Sequence, residues 1–374
     1  MKVVIVGAGI AGLSIGWRLL QAGADVVVLE RAQPARGATW AAAGMISAAG
    51  DDEDVNPAKA ALARRSATRW PNFAREIEEQ CGRAVGFRKD GNLIIATNQQ
   101  EQSRLETRAA IATDLSLLSA AEACALEPLL RADIAGALWD PSEAQVDNRA
   151  LGAALLEIYL RAGGALQANE TVVRFETDGG RIFGARTPFG LYEGDAYVLA
   201  AGAWTSRIEG LPAEALPPVV PVKGEMIALH GGALPTHIIS GEDVYIVPRA
   251  GRLLVGATLC REGFDTSLTD AARTWLCARA VSLMPSLADW DIVEHWAGLR
   301  PGSPDNLPIL GRTMLEGLFV ASGQFRNGIL FAPVVAEVVS ALVQEKSAPI
   351  DIAAFDPRRF GDAALVGTKE VPTA

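Results

Sequence analysis

Two arginines and a tyrosine have the type and setting to hold an anion. Arg300 ends the run WAGLR and precedes Pro301-Gly302. A guanidinium inside such an apolar, strand-like stretch needs an anion, and its planar fork matches a carboxylate bidentately. Tyr245, in VYIVPR, can donate its phenol proton to the same carboxylate. A structural ion pair, with Asp305 as partner, is the competing account of Arg300. Arg326 lies in ASGQFRNGILFAP, between Phe325 and an apolar run. Gly323 and Gly328 flank QFRN and residues 329–343 have helical apolar spacing, so the stretch is a glycine-rich loop entering a helix. The free N–H groups and positive dipole end of that helix face whatever lies before it. Pairing with a surface carboxylate would account for Arg326 but not for the glycines around it. Arg249 and His295 qualify by type alone; a surface arginine and a satisfied histidine are the simpler accounts of them.

The elements that must position such a site begin at the N-terminus. Residues 2–6, KVVIV, suit a strand buried on both faces and run directly into Gly7-Ala8-Gly9-Ile10-Ala11-Gly12. Residues 13–22 carry helical periodicity, Gly23 ends it, and DVVVL at 25–29 is a second buried strand closing on Glu30. Glu30 follows Gly12 by eighteen residues, close to the spacing of about twenty at which an acid reaches a ribose. Gly7 permits the tight turn, Gly9 lets the backbone approach a pyrophosphate, and Gly12 allows close helix and strand packing. Alone, GxGxxG is weak; with strand, helix, second strand and acid in order it specifies a dinucleotide site. The same N-terminal run could pass for a signal peptide, but four glycines interrupt it, Arg18 ends it, and no clean cleavage site follows. Nor are there about 18 uninterrupted apolar residues for a spanning helix.

Composition narrows the class of protein. The chain has 374 residues, 49% of them hydrophobic, enough to bury a large core in one complex domain or two interleaved ones. Its formal net charge of −10 disfavours a nucleic-acid backbone or an anionic membrane as the main partner. Cys81, Cys124, Cys260 and Cys277 form no CxxC pair and share no metal spacing with the three histidines, so they are expected to be reduced and structural in a cytoplasmic protein, with no metal. No Ser-His-Asp constellation appears.

Residues 36–47, RGATWAAAGMIS, are so small in bulk that something large must lie against their backbone, unless they form a helix packed tightly on a neighbour. Here the residues carry a resemblance. The glycine motif, Glu30 and the AAAGM run resemble the FAD-dependent amino-acid oxidase family, which includes D-amino-acid oxidase, sarcosine oxidase and glycine oxidase. The likeness recurs in order along the chain: VDNRALGAALLEIYLRAGGAL from 146, TVV at 171–173 as a strand, and DAYVLAAGAWTS from 195. PVKGEMIAL from 221, VYIVPR, GRLLVGAT from 251, WAGLRPGSPDNLPILG from 296 and GQFRNGILFAP complete it. These motifs cover residues 1–360 and are most similar to the glycine-oxidase branch, which serves thiamine thiazole biosynthesis.

The resemblance implies noncovalent FAD, because the cysteine that tethers flavin in sarcosine oxidases would fall near Gly302 and Ser303, and no cysteine follows Cys277. It implies cofactor contacts from Gly7, Gly9, Ile10, Ala11, Gly12, Glu30 and Arg31, and from Ala38, Thr39, Ala43, Gly44 and Met45 along the flavin. Val172, Gly202 and the run Gln324, Phe325, Arg326, Asn327, Gly328, Ile329 and Leu330 complete the set. Tyr245, Arg300 and Arg326 are expected to hold the substrate. The implied reaction is oxidative deamination of glycine, with sarcosine and small D-amino acids as further substrates. The α-hydride passes to flavin, O2 becomes H2O2, and the imino acid is hydrolysed, with no acid or base residue required. Leu259 and the loop SGEDV at 240–244 leave the size of the pocket open.

The expected fold is α/β. A Rossmann-like FAD-binding domain from residues 1–80, 145–217 and 291–360 is interleaved with a smaller α+β substrate domain from 81–144 and 218–290, built on an antiparallel or mixed sheet, and 361–374 form a tail. A homo-oligomer is implied by the resemblance, with neither nucleic acid nor membrane as partner. Three other readings remain. One is an amino-acid or amine dehydrogenase of the same fold using another electron acceptor. The others are a flavin-dependent tRNA-modification oxidase and a noncatalytic flavoprotein.

Overall fold

The computed structural model describes residues 1–48, 56–112 and 114–360, so the expected tail at 361–374 lies outside the described residues. The β-branched run at the N-terminus becomes the strand Lys2–Val6, central in a six-stranded sheet. In spatial order the sheet reads Ile309–Arg312, Leu318–Ser322, Ala196–Leu199, Lys2–Val6, Asp25–Glu30, Ala165–Ala168. All neighbours are parallel except the Ile309–Arg312 edge, which returns antiparallel. Val3 and Ile5 point into a core shared with the helices Ile10–Gln21, Asn148–Arg161 and Gly328–Val343. Val4 and Val6 point the other way, onto Phe175, Ile182 and Ala185 of a small three-stranded sheet. Both faces are therefore covered, which is why these strands are apolar throughout rather than alternating. The segment Phe325–Val343 is long and apolar enough to cross a membrane, but it is 72% buried and forms a core helix.

The second sheet has eight strands, in the order Asp291–Gly302, Val220–His230, Arg252–Gly256, Tyr245–Arg249, Ile238–Ser240, Asn92–Ala96, Gly136–Asp140, Ser116–Leu118. It is mixed, since Ile238–Ser240 runs parallel to Asn92–Ala96 while every other pair is antiparallel. Alternation decides what each face meets. Ile227, Leu229, Ile246, Leu253 and Val255 pack under the helix Asp270–Leu283. Met226, Ala228, Val247, Leu254 and Trp296 face the opposite way and pack on Trp40, Ala41, Ala43 and Met45. The low-bulk segment after Glu30 is thus the layer between the two sheets. Only Ala38–Ala41 of it is helical.

Two expectations are corrected. Residues 291–302 were expected in the cofactor domain, yet Asp291–Gly302 pairs along the whole of Val220–His230 in the eight-stranded sheet, and the chain enters the six-stranded sheet only at Ile309. Residues 171–173 were expected as a strand, but Arg174–Asp178 is where the strand begins. Val173 N–H donates to Arg186 O and its carbonyl accepts from Glu209, contacts that satisfy the backbone without a ladder.

Candidate active site

The glycine motif sits at the carboxyl end of Lys2–Val6, where open α/β sheets place their ligands. Its three glycines have different reasons. Gly7 has φ +107°, and a Cβ there would lie 2.4 Å from Ala200 O. A Cβ on Gly12 would lie 1.9 Å from Gly7 O. On Gly9 a Cβ would meet only Thr39 Oγ1, at 3.5 Å, so the protein itself does not demand glycine there. That leaves a close-approaching ligand as its physical reason. Thr39 Oγ1 accepts from Ile10 N–H at 2.9 Å, and Asn148 Nδ2 holds the Thr39 and Trp40 carbonyls at 2.9 Å each. Glu30 accepts from Ala8 N–H at 2.8 Å and Ala32 N–H at 3.0 Å, which fixes its carboxylate beside the loop. The Arg31 guanidinium lies 3.5 Å over the Trp204 ring, in the turn opened by Gly202 at φ +56°.

The helix Gly328–Val343 starts at the same edge, after Leu318–Ser322. Neither it nor Ile10–Gln21 has a side-chain N-cap. Beside it, Gln324 is buried with its Nε2 lacking a hydrogen-bond partner. Two uncapped helix N-termini, an open glycine cradle and an orphaned buried amide fit a bulky, anionic, hydrogen-bonding group such as FAD. Some expected contacts are narrower than the sequence implied. The side chains of Ile329 and Leu330 pack in the core, and Leu330 O accepts from Ser66 Oγ and Trp70 Nε1, so these two residues offer no side chain to a ligand. Val172 likewise packs its side chain in the core beneath the six-stranded sheet.

On the eight-stranded sheet, Arg300 stands opposite Val222 and lies flat against Gly224, where a Cβ would come within 2.3 Å of Nη1. Nη1 donates to Thr258 O at 3.1 Å and to Lys223 O at 3.4 Å. Burial lowers its pKa, the Tyr245 phenol opposes that, and the like charge of Arg326 adds to it. The structure therefore brings Arg300, Tyr245 and Arg326 into one electrostatic neighbourhood. The Tyr245 ring covers Gly256, and its hydroxyl points to Met226 Sδ at 3.8 Å. The competing ion pair does not form: Asp305 binds Arg359 at 2.8 Å. His295 Nε2 lies 2.9 Å from Glu225 Oε2, while Arg249, expected at the surface, is buried against the Ala43 carbonyl.

Sequence reasoning missed Gly224, Thr258, Asn148 and Trp204. Gly224 carried a signal, since glycine inside a strand marks a close approach. Thr258 carried none, because it acts through its carbonyl.

A doubly covered, mostly parallel sheet with a glycine cradle at its carboxyl edge, facing a mixed sheet that carries an arginine and a tyrosine, is the architecture of a dinucleotide-binding protein with a second layer over its cofactor edge. Residues 2–342 match the family described as DAO, FAD dependent oxidoreductase, and the chain belongs to it. It is thus an FAD-dependent oxidoreductase. It is 34% identical over 367 residues to a glycine oxidase of Geobacillus kaustophilus, covering 96% of each chain. The crystal structure of glycine oxidase from that organism superposes with a TM-score of 0.90 at 33% identity, covering 95% of this chain and 98% of the other. A bifunctional ThiO/ThiG protein of Synechocystis is 35% identical over 369 residues; the match covers 96% of this chain but 54% of that longer protein.

Proposed function

We propose that this chain is a cytoplasmic amino-acid oxidase that deaminates glycine, with sarcosine and small D-amino acids as further substrates, and reduces O2 to H2O2. The product imino acid would hydrolyse to the oxo acid and to ammonia or an amine. Noncovalently bound FAD would be held by Gly9, Glu30, Arg31, residues 38–45 and the helix start at Gly328. When bound, FAD would supply the two-electron redox chemistry of the reaction. The chain's own residues hold and orient the substrate. The Arg300 fork and the Tyr245 hydroxyl receive the carboxylate, Arg326 adds positive charge beside them, and Gly224 leaves room for the guanidinium to lie flat. The uncapped N-terminus of Gly328–Val343 favours negative charge accumulating on the cofactor side.

The observation that carries this reading is the convergence of Arg300, Tyr245 and Arg326 with no carboxylate paired to Arg300 among the described residues. A half-buried cation so placed, with no carboxylate of its own, suits an anionic substrate group. The similarity to glycine oxidases, and to the ThiO/ThiG protein, supports glycine and a role in thiamine thiazole formation. The test is to add glycine, sarcosine or D-alanine anaerobically to the purified yellow protein and record flavin bleaching, then to admit air and measure H2O2. No bleaching with any of the three would refute the reading. Bleaching without oxygen uptake would make the chain a dehydrogenase.

A further inference from the structure

Arg249 is a buried cation that the site described above leaves without a role. It lies on the same strand as Tyr245, is 7% exposed, and makes no ion pair among the described residues. Asp147 is the carboxylate whose field it feels, but Asp147 is already engaged as the helix cap of Arg149 and Ala150 N–H, and Arg88, Arg149 and Arg252 add like charge. Burial pushes the Arg249 pKa down to about 10. Among the described residues its Nε has no partner and its one hydrogen bond goes from Nη2 to the Ala43 carbonyl.

The peptide it holds is itself fixed. Gly44 has φ +79°, a Cβ on it would lie 2.0 Å from Val146 O and 3.0 Å from Arg249 Nη2, and its carbonyl accepts from Val146 N–H at 2.9 Å. The Ala43–Gly44 peptide is trans, so with its carbonyl turned to Arg249 its N–H points the opposite way. That Gly44 N–H makes no hydrogen bond among the described residues. A cation on the carbonyl of a peptide strengthens its N–H as a donor, because hydrogen bonds in series polarise one another.

We propose that Arg249 is a positioning residue for the cofactor: through the Ala43–Gly44 peptide it aims the Gly44 N–H at the flavin and reinforces it. This rests on the reading that residues 43–45 line the flavin. Arg249 thereby stabilises negative charge on the reduced ring without touching it, which gives a reason for a buried cation that pairs with no carboxylate among the described residues.

The test uses FAD-loaded wild type, Arg249→Lys, Arg249→Gln and Arg249→Met. Each is equilibrated anaerobically with a reference dye at one solution potential. The ratio of reduced to oxidised flavin is expected to fall about tenfold in Arg249→Gln and Arg249→Met, equivalent to about 30 mV for a two-electron couple. Arg249→Lys should stay within about threefold of wild type. Should Arg249→Met fail to fold, the Lys and Gln variants still separate charge from packing. An unchanged ratio in the neutral variants, or Arg249→Lys falling as far as they do, overturns the proposal. Amide hydrogen exchange at Gly44, with and without FAD in the wild type, tests the underlying reading separately. Protection by FAD supports it; no protection removes residues 43–45 from the flavin and the inference with them.

Discussion

Replacing Arg300 by alanine distinguishes a carboxylate-binding arginine from a structural one. Its bonds to carbonyls both leave from Nη1, to Thr258 O and Lys223 O, so the rest of the fork is not spent on the backbone. Truncation removes a charge-assisted, bidentate contact with the substrate, on the order of 2 to 4 kcal/mol in a partly desolvated site, or roughly 30-fold to 1000-fold in kcat/KM. Arg300→Lys should recover part of this, since an ammonium lacks the planar fork. A simple alkylamine never uses the contact and should be oxidised by all three proteins alike. The assay is steady-state oxidation of glycine and of the alkylamine, with flavin content checked in each protein. An equal fall for both substrates would make Arg300 structural; no fall for either would move the carboxylate elsewhere, with Arg326 the next candidate.

Other expectations follow from the same geometry. Gly9→Val should fold, because its Cβ meets only Thr39 Oγ1, but should lose FAD; Gly12→Ala should be destabilised outright, because its Cβ would overlap Gly7 O. Circular dichroism melts alongside flavin content check both, and full FAD occupancy in Gly9→Val would remove the pyrophosphate assignment. Acid precipitation should release FAD into the supernatant, and flavin retained in the pellet would mean a covalent link. Glu143 is buried, and desolvation together with the charge of Asp140 pushes its carboxyl up to about 7, against the opposing bonds from Ser47 and Asn92 and the charge of Arg108. A carboxyl with a raised folded pKa contributes stability below its unfolded value of 4.5, and that contribution is lost as pH rises through about 7. Wild-type stability should therefore drop by about 3 kcal/mol across that window, an order-of-magnitude figure, while Glu143→Gln shows no such slope. Chemical denaturation at pH 5 and pH 8 measures it, and equal slopes in the two proteins would exclude Glu143.

The N-terminal cradle was legible because it is local. Strand, glycine turn, helix, strand and Glu30 occupy thirty consecutive residues, and the reason for Gly12, its close approach to Gly7 O, lies within them, whereas that for Gly7 comes from Ala200 O across the sheet. The Arg326 loop was legible for the same cause, since Gly323, Gly328 and the apolar helix adjoin it. The eight-stranded sheet that carries Arg300 and Tyr245 was not local. Arg249 and Arg300 both end apolar strand-like runs; the family resemblance marked Arg300 as a ligand, while Arg249, which qualified by type alone, was expected at the surface. Arg249 is buried and Arg300 half-buried, and they differ in partner geometry: Arg300 lies on Gly224 and donates to Thr258 O and Lys223 O, while Arg249 is turned onto the Ala43 carbonyl. Strand Asp291–Gly302 shows the same limit, since its residues are equally at home beside either sheet and its place was decided by pairing with Val220–His230, sixty and more residues away in the chain. Side-chain period and turn chemistry are properties of short stretches, so the sequence by itself determined the cofactor class and the kinds of element. Which strand lies beside which, and hence which backbone groups each buried or half-buried cation meets, depends on long-range packing, and only the tertiary structure decided it.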